Sequence, residues 1–398
     1  MSDAVLDVLR PRPTGGTLVT FRPGMSGPAQ IEAVERAAGA GAIRIAGSET
    51  PPGGEAILVF EEIGIAIVPA REDGESVAAA LGRSEGVERT RPEFWLFDTE
   101  AGAGFEDDTE RSWGLAATGA IDSPRSGDGI RLCVLDTGID AGHPDYRDRS
   151  IVSQSFVTGE EVMDAQGHGT HCAGTAAGRS ALPGVPRYGV APGASLHVGK
   201  VLNDQGSGRE RDIIAGMLWA VRQGCEVISM SLGRAVRPGE VHSTAYERIG
   251  RLALDSGSLI VAAAGNDSRR QVGYIAPAGA PANSPSILSV AALDEMLAIA
   301  PFSNGGINPD GGGIDLAAPG VDVLSSVPRP RDYRALSGTS MATPHVAGVA
   351  ALWAESDPAL RGAALWDRLI ESARKLPLSA RDVGAGLVQA PPPARGDE

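Results

Sequence analysis

Short apolar runs alternate with amphipathic segments over most of the chain beyond residue 110. The apolar runs have the length of buried strands and fall at residues 131–135, 196–201, 226–230, 259–264 and 287–292. Segments with apolar residues at helical spacing lie between or after them, at residues 211–222, 244–254, 340–354 and 362–374, and a further helix is predicted to begin at His168. Strands that alternate with helices indicate a mostly parallel sheet covered on both faces. The pattern therefore predicts a doubly wound α/β domain over residues 111–390.

The first hundred residues carry a different pattern. Strands are predicted at residues 17–21, 42–45, 56–60, 63–68 and 87–97, and helices at residues 31–38 and 76–81. Residues 56–68 are counted as one interrupted strand. The resulting order, βαββαβ, is a split βαβ pattern and predicts a small α+β unit over residues 17–97. Three other segments are predicted to lack regular structure: a flexible N-terminus (1–16), an exposed acidic linker (98–110) and a disordered tail (391–398).

Composition and charge narrow the class of protein. A chain of 398 residues fits about two domains. Its formal net charge of −15 disfavours nucleic acid and anionic membranes as partners, because both are negatively charged. The sequence contains no apolar run long enough for a membrane span and no basic, apolar signal segment at its start. We therefore expect a cytoplasmic protein, or a secreted one if a signal is missing from this sequence; the three cysteines, an odd and low count, fit a reducing compartment.

Three polar residues occupy positions that suit nucleophilic catalysis. Asp136 follows an apolar strand, at the sheet edge where α/β proteins place their sites. His168 lies between two glycines at a predicted helix start, and an ordinary histidine titrates near neutrality, as a general base requires. Ser340 comes just before a predicted helix of small residues. The backbone N–H groups of the first turn of that helix point toward the Ser340 hydroxyl. Serine becomes a good nucleophile when a base takes its proton, and a carboxylate can hold that base in the required tautomer.

These residues lie in distinctive motifs. Residues 134–139 read VLDTGI, 167–174 read GHGTHCAG, 261–266 read VAAAGN and 336–348 read LSGTSMATPHVAG. In this order they resemble the motifs of the subtilases, the subtilisin-like serine proteases, and softer matches extend the resemblance over roughly residues 110–390. The resemblance implies a serine endopeptidase that acts on polypeptides and requires no cofactor. It also implies that Ser340 is the nucleophile, His168 the base, Asp136 its partner and Asn266 an oxyanion-hole donor.

The resemblance further implies where a substrate binds and how the enzyme matures. Two edge segments would hold an extended peptide, formed by Gly206, Ser207 and Gly208 and by Ser231, Leu232 and Gly233. Gly265 and Gly273 would leave the primary specificity pocket open, and Asp267 at its rim would favour a basic side chain. The N-terminal unit resembles the family's inhibitory prodomain. This implies a zymogen that cuts itself in the linker and is inhibited by its own prodomain.

Metal ligands are not apparent at the expected positions. The family often binds calcium in a loop after the histidine helix, but residues 176–188 read AAGRSALPGVPRY, without a carboxylate or amide side chain. Calcium takes about six to eight oxygen ligands, so structural calcium would depend on backbone oxygens elsewhere. His168 and His171 lack a third metal ligand at suitable spacing. We expect His171, His345 and Cys172 to be packing groups.

Other classes explain the sequence less completely. Asp136-Thr137-Gly138 and Asp255-Ser256-Gly257 are both D-[ST]-G triplets, as in aspartic proteases, but that architecture is all-β and would leave the serine and histidine motifs unexplained. An inactive subtilase scaffold that acts as a binding module would not need the complete set of catalytic residues. A peptide ligase or a dedicated peptide-processing protease on the same fold is compatible with the triad, and the products formed with a peptide amine present would distinguish ligation from hydrolysis.

Overall fold

The computed structural model describes residues 13–39, 41–45, 56–61, 64–69, 74–94, 105–180, 182–308 and 312–393. The chain divides into two compact units, Met1–Glu100 and Ala101–Glu398. Each unit has its own sheet and its own hydrophobic core, as the change of pattern near residue 100 predicts. Within the described ranges, no helix is both long enough and apolar enough to cross a membrane.

A five-stranded sheet with two helices forms the described part of the N-terminal unit. Its elements are β1 (Pro13–Phe21), α1 (Gly27–Ala38), β2 (Ala42–Ile45), β3 (Ile57–Phe60), β4 (Ile65–Val68), α2 (Gly74–Gly82) and β5 (Val87–Phe94). The strand order is β2-β3-β4-β1-β5, and all neighbouring pairs are antiparallel except β2 and β3. Val19, Val34, Val59 and Leu81 meet in one core, which holds the helices against the sheet.

Two sequence predictions for this unit are wrong. The predicted runs 56–60 and 63–68 form two antiparallel strands, β3 and β4, so counting them as one interrupted strand is wrong; Gly64, just before β4, has φ of +63°. The sheet therefore has five strands where the βαββαβ pattern gives four. Residues 13–16, assigned to a flexible terminus, belong to β1. The predicted structure of residues 1–12 and 95–97 lies outside the described ranges.

The second unit contains a seven-stranded sheet in which all neighbours are parallel, in the order β12-β11-β10-β9-β6-β8-β7. Its strands are β6 (Arg131–Asp136), β7 (Val152–Ser155), β8 (Ser195–Lys200), β9 (Val227–Met230), β10 (Leu259–Ala263), β11 (Leu288–Leu293) and β12 (Leu316–Pro319), followed by a hairpin of β13 (Val323–Ser326) and β14 (Tyr333–Leu336). Its helices are α3 (Trp113–Thr118), α4 (His168–Ala177), α5 (Glu210–Arg222), α6 (Thr244–Asp255), α7 (Thr339–Ser356), α8 (Ala363–Ser372) and α9 (Ala380–Val383). The predicted α/β architecture with a mostly parallel sheet is confirmed.

Helices bury this sheet on both faces. Side chains alternate along a strand, so Leu132 and Val134 of β6 enter one core while Cys133 and Leu135 enter the other. The first core also contains side chains of α4 and α7, and the second contains side chains of α5 and α6. Two-sided burial explains why the strands appear in the sequence as continuous apolar runs.

The order of the strands determines where a site can form. Strand β6 lies between β8 and β9, so the chain first builds one side of the sheet and then crosses to the other. In open α/β sheets, sites form at the carboxyl ends of the strands beside such a switch point. Asp136 ends β6, Ser231 follows β9 and Asn266 comes shortly after β10. The topology thus brings three predicted site residues to one edge of the sheet.

The second unit begins earlier than residue 111. Phe105 packs against its core, and the Phe105 N–H donates to the carbonyl oxygen of Glu295 at 3.0 Å. The Asp107 carboxylate accepts a hydrogen bond from the Trp113 N–H at 2.7 Å. Residues 105–110, predicted to belong to the linker, are therefore fixed to this unit. At the other end, residues 391–393 form neither helix nor strand, and residues 394–398 lie outside the described ranges.

Candidate active site

Asp136 and His168 meet where β6 ends and α4 begins. The backbone of α4 comes close to the loop after β6, and Gly169 permits this because a β-carbon there would collide with the carbonyl oxygen of Gly138. The Nδ1 of His168 lies 2.8 Å from Oδ1 of Asp136. A carboxylate only accepts hydrogen bonds, so Nδ1 carries the proton and Nε2 is left as the acceptor of the neutral ring. Asp136 is fully buried, whereas the His168 side chain is 24% exposed.

The environment of His168 favours its protonated form. Burial disfavours the charged ring, but the adjacent Asp136 carboxylate outweighs burial, so the pKa of His168 lies well above its usual 6.5. The Cys172 sulfur lies 3.8 Å from Nδ1, on the next turn of α4. Burial raises the pKa of the Cys172 thiol, which therefore stays protonated near neutral pH. Asp136 is thus the partner that stabilises an imidazolium at this position.

The other two histidines of the motifs are buried. Burial, and then the charge of His168, lowers the pKa of His171 to about 3. Burial likewise lowers the pKa of His345 to about 4. The Nε2 of His171 lies 3.0 Å from the carbonyl oxygen of Val323, and the Nδ1 of His345 lies 2.9 Å from that of Met341. Both rings are therefore neutral donors: His171 joins α4 to the β13–β14 hairpin, and the His345 bond lies within α7.

Ser340 lies in the first turn of α7. Its hydroxyl donates to the carbonyl oxygen of Ser231 at 3.3 Å. The carbonyl oxygen of Ser340 accepts hydrogen bonds from the Ser231 hydroxyl at 2.7 Å and from the Cys172 thiol at 3.5 Å. These contacts attach the start of α7 to β9 and α4. Ser340 and His168 line one cleft, and catalytic hydrogen bonds of this kind often form only when substrate is bound.

The amide of Asn266 has a fixed orientation. Its Oδ1 accepts hydrogen bonds from the Thr339 N–H at 2.9 Å and from the Thr339 hydroxyl at 3.0 Å. Only the oxygen of an amide can accept, so these bonds leave Nδ2 as the donor group of a side chain that lines the cleft. Gly265, with φ of +106°, makes the turn that places Asn266 here, and a β-carbon at Gly265 would collide with Asn304. Sequence reasoning did not assign Thr339, although it lies in the serine motif.

A cleft of about 630 Å³ connects these groups. Most of the predicted site residues line it: His168, Gly206, Ser207, Gly208, Ser231, Leu232, Gly233, Gly265, Asn266, Asp267 and Ser340. Asp136 lies outside the lining because it is buried behind His168. Gly273 also lies outside it, contrary to expectation, because it ends an exposed 3₁₀ turn with φ of +77°. Asp255 ends α6 on the surface and does not line the cleft, so an aspartic dyad with Asp136 is not formed.

Further residues complete the cleft and its support. Leu202, Glu210, Ile213, Arg234 and Tyr246 also line the cleft. Lys200 is buried at the end of β8, where its Nζ donates to the carbonyl oxygen of Thr137 at 2.6 Å and to Asp204 at 2.7 Å. No motif marks these residues in a single sequence. Their positions follow from the crossovers that bring α5 and β8 beside β6.

The described residues do not fit a metal ion at two candidate places. Near the loop where the family often binds calcium, the buried carboxylate of Asp145 accepts hydrogen bonds from the hydroxyls of Tyr188 and Tyr333. Hydroxyl protons directed at a carboxylate occupy the lone pairs that calcium would need. Asp136, His168 and Cys172 form a second cluster of ligand-type atoms within 4.8 Å of one another. There Asp136 and His168 are hydrogen-bonded to each other, and the Cys172 thiol is protonated. Neither condition suits metal ligation.

Comparisons with known proteins agree with this geometry. Residues 127–386, which include all four proposed catalytic residues, match the profile of the Subtilase family. Subtilisin E of Bacillus subtilis (strain 168) is 41% identical over 253 residues, covering 63% of this chain and 62% of subtilisin E. Subtilisin Savinase of Lederbergia lenta is 39% identical over 282 residues, covering 70% of this chain and 96% of that protein.

Solved structures show the same likeness. Sphericase matches with a TM-score of 0.60 and 32% sequence identity, over 70% of this chain and 97% of the Sphericase chain. A cold-adapted subtilisin-like serine proteinase matches with a TM-score of 0.55 and 33% identity, over 67% of this chain and 89% of the other. Both identities are high enough for the likeness to extend beyond the general α/β architecture.

Proposed function

Because the chain belongs to the subtilase family of serine proteases, we propose that it cleaves peptide bonds through an acyl-enzyme formed on Ser340. The observation that carries this proposal is the 2.8 Å contact between buried Asp136 and His168, beside a cleft lined by Ser340 and Asn266. Acyl transfer requires a nucleophilic hydroxyl, a base, a group that orients the base and a donor to the oxyanion. These four side chains supply one of each.

In the proposed reaction, Nε2 of His168 takes the proton of Ser340 while Oγ attacks the carbonyl carbon of the substrate. Asp136 keeps the other proton on Nδ1 and stabilises the imidazolium. Asn266 Nδ2 and the Ser340 backbone N–H donate to the oxyanion. His168 then protonates the leaving amine as the C–N bond breaks. Water, deprotonated by His168, attacks the ester, releases the acid and restores the Ser340 hydroxyl.

The test is a pair of serine variants. Ser340→Ala should abolish peptide hydrolysis, and a phosphonylating serine reagent should label Ser340 alone in the wild type. The corresponding change in subtilisin lowers kcat by about 2 × 10⁶, and we expect a loss of the same order here. Ser337→Ala is the matched control, since its exposed hydroxyl only bonds to Asp322. Labelling of another serine, or full activity of Ser340→Ala, would refute the assignment.

We further propose that the substrate binds as an extended strand between the segments Gly206–Gly208 and Ser231–Gly233. Backbone pairing of this kind accepts many sequences, because it uses groups that every residue carries. Asp267 supports a preference for a basic side chain next to the cleaved bond. It is exposed in the cleft, and its carboxylate is oriented by Asn304 Nδ2 at 3.0 Å.

We also propose that the N-terminal unit is an inhibitory prodomain, removed by the chain's own active site. Its separate core supports this role. The cut is expected before Phe105, because Phe105 and Asp107 are bonded to the catalytic unit. N-terminal sequencing during incubation should show a new terminus in the wild type and none in Ser340→Ala. The released fragment, added back to processed enzyme, should inhibit it competitively. An uncut wild-type chain with full activity would make the unit a permanent accessory domain.

A further inference from the structure

One buried carboxylate receives five hydrogen bonds beside the Asp136–His168 pair. Asp164 is 1% exposed and lies in the loop that leads into α4. Its Oδ1 accepts from the Thr137 hydroxyl at 2.9 Å, the Gln166 N–H at 3.1 Å and the Gly167 N–H at 2.7 Å. Its Oδ2 accepts from the Thr170 N–H at 2.8 Å and the Thr170 hydroxyl at 2.7 Å. Asp164 does not line the cleft, so it is not placed to contact substrate.

These bonds reach both halves of the catalytic pair. Thr137 follows Asp136, and its N–H donates to Oδ1 of Asp136 at 2.7 Å, the same oxygen that receives His168. Gly167 precedes His168, and Thr170 lies in the first turn of α4. Asp164 therefore joins the loop that carries the acceptor to the helix start that carries the imidazole. It also places negative charge at the N-terminus of α4, where the helix dipole favours it.

The network requires a carboxylate at this position. The hydroxyl oxygen of Thr137 already accepts a hydrogen bond from the Gly169 N–H at 2.8 Å, and the hydroxyl oxygen of Thr170 accepts one from the Asp140 N–H at 3.0 Å. Each hydroxyl proton is therefore directed at Asp164. An amide in its place would turn an N–H₂ group toward one of these donors, and a buried pair of facing donors is costly.

We propose that Asp164 is a positioning residue that sets the distance and angle between Asp136 and His168, and so sets the rate of proton transfer in the reaction proposed above. The inference rests on that proposed function. It differs from a purely structural role, because it predicts a change in the titration of His168. The titratable groups that face His168 are Asp136 from β6 and Cys172 and His171 from α4 itself.

The experiment compares two isosteric variants of the full chain, Asp164→Asn and Asp382→Asn. Asp382 is also a buried aspartate, held by Arg270 at 2.8 Å and Arg381 at 2.8 Å, and it does not line the cleft. For Asp164→Asn we expect kcat to fall about 10–100-fold, the range for a small misplacement of catalytic groups. KM should change little, and the acid limb of kcat/KM should move to lower pH. Asp382→Asn should lower the melting temperature without moving kcat or the acid limb.

A lower melting temperature for Asp164→Asn with unchanged kcat and unchanged acid limb would overturn the proposal and leave Asp164 a structural residue only. If Asp164→Asn does not fold, the proposal is tested with Thr137→Val and Thr137→Ser. Valine removes the hydroxyl that is hydrogen-bonded to Asp164, and serine keeps it. The valine variant should move the acid limb to lower pH and the serine variant should not. Equal profiles would overturn the proposal. Loss of the proposed function itself is recognised separately, by wild-type enzyme that a phosphonate does not label at Ser340.

Discussion

Asn266 offers a sharp test of the site, because its two amide atoms do different work. Oδ1 accepts two hydrogen bonds from Thr339, and Nδ2 is the donor group of a side chain that lines the cleft. Asn266→Ala removes both functions. Asn266→Asp keeps an oxygen for Thr339 but removes the donor to the oxyanion. The two variants therefore separate the support of the loop from the stabilisation of the transition state.

The contacts of Thr339 set the expected effect on stability. Thr339 is fully buried, and its backbone N–H cannot turn to another acceptor when Asn266 is truncated. An unsatisfied buried donor costs about 1–3 kcal/mol. Asn266 is exposed, so water reaches the vacated position and the lower end, about 1 kcal/mol, is expected for Asn266→Ala. Asn266→Asp should melt close to the wild type.

Catalysis should fall in both variants, whereas stability should fall only in Asn266→Ala. Loss of one oxyanion donor lowers kcat by about 10²–10³ in subtilisin, and this value is carried over from that enzyme. Both variants should show at least this loss with little change in KM, because the donor acts mainly in the transition state. Steady-state kinetics on a peptide anilide and thermal melts provide the readouts. An Asn266→Asp variant with nearly wild-type kcat, or a change confined to KM, would refute the oxyanion role.

Other consequences of the structure can be measured independently. The wild-type kcat/KM should rise with pH as His168 loses its proton, with a midpoint above 6.5, and Asp136→Asn should move that limb to lower pH while lowering the rate by about 10⁴. The same raised pKa of His168 stabilises the fold below pH 6.5, and this contribution is lost as the pH rises through the folded-state value. Chelation with EDTA should leave the melting temperature unchanged, and a large drop would show that calcium stabilises the fold. Tyr188→Phe removes a hydrogen bond to the Asp145 carboxylate and should lower the free energy of unfolding by about 1.5–3 kcal/mol. Asp267→Ser should reduce cleavage after basic residues about two- to fivefold relative to leucine, the value of an exposed ion pair, and an unchanged ratio would remove Asp267 from the specificity pocket.

Burial on both faces made the central strands readable from the sequence. Strands β6 and β10 are continuous apolar runs, and α5 repeats its apolar residues at helical spacing, so their types and approximate bounds followed directly. Strand β7 reads VSQS and is largely exposed at the sheet edge, so no apolar pattern marks it. The runs that form β3 and β4 were recognised separately, but counting them as one interrupted strand removed a strand from the predicted order.

The sequence identified functional residues where a long motif surrounds them, and it did not identify them elsewhere. Asp136, His168 and Ser340 each lie in a long motif, and the structure joins the first two by a hydrogen bond and places the third in the same cleft. Asp164 accepts four of its five hydrogen bonds from residues 166–170, but it precedes the histidine motif, so the sequence did not single it out. Gly273 was misplaced because its sequence neighbours do not show that it ends an exposed 3₁₀ turn outside the cleft lining.

The parallel sheet also governs how fast the second unit gains and loses its structure. The strands that pair with β6 are β8, which follows α4 in the chain, and β9, which follows α5. Each pairing therefore closes a long loop before the strands gain their contacts. Such topologies fold slowly, because the entropy of closure is lost first. A high barrier between the folded and unfolded states slows unfolding as well as folding. The persistence of the folded enzyme then depends on its unfolding rate more than on its equilibrium free energy of unfolding. A folded state that rarely opens also rarely exposes its own peptide bonds to cleavage.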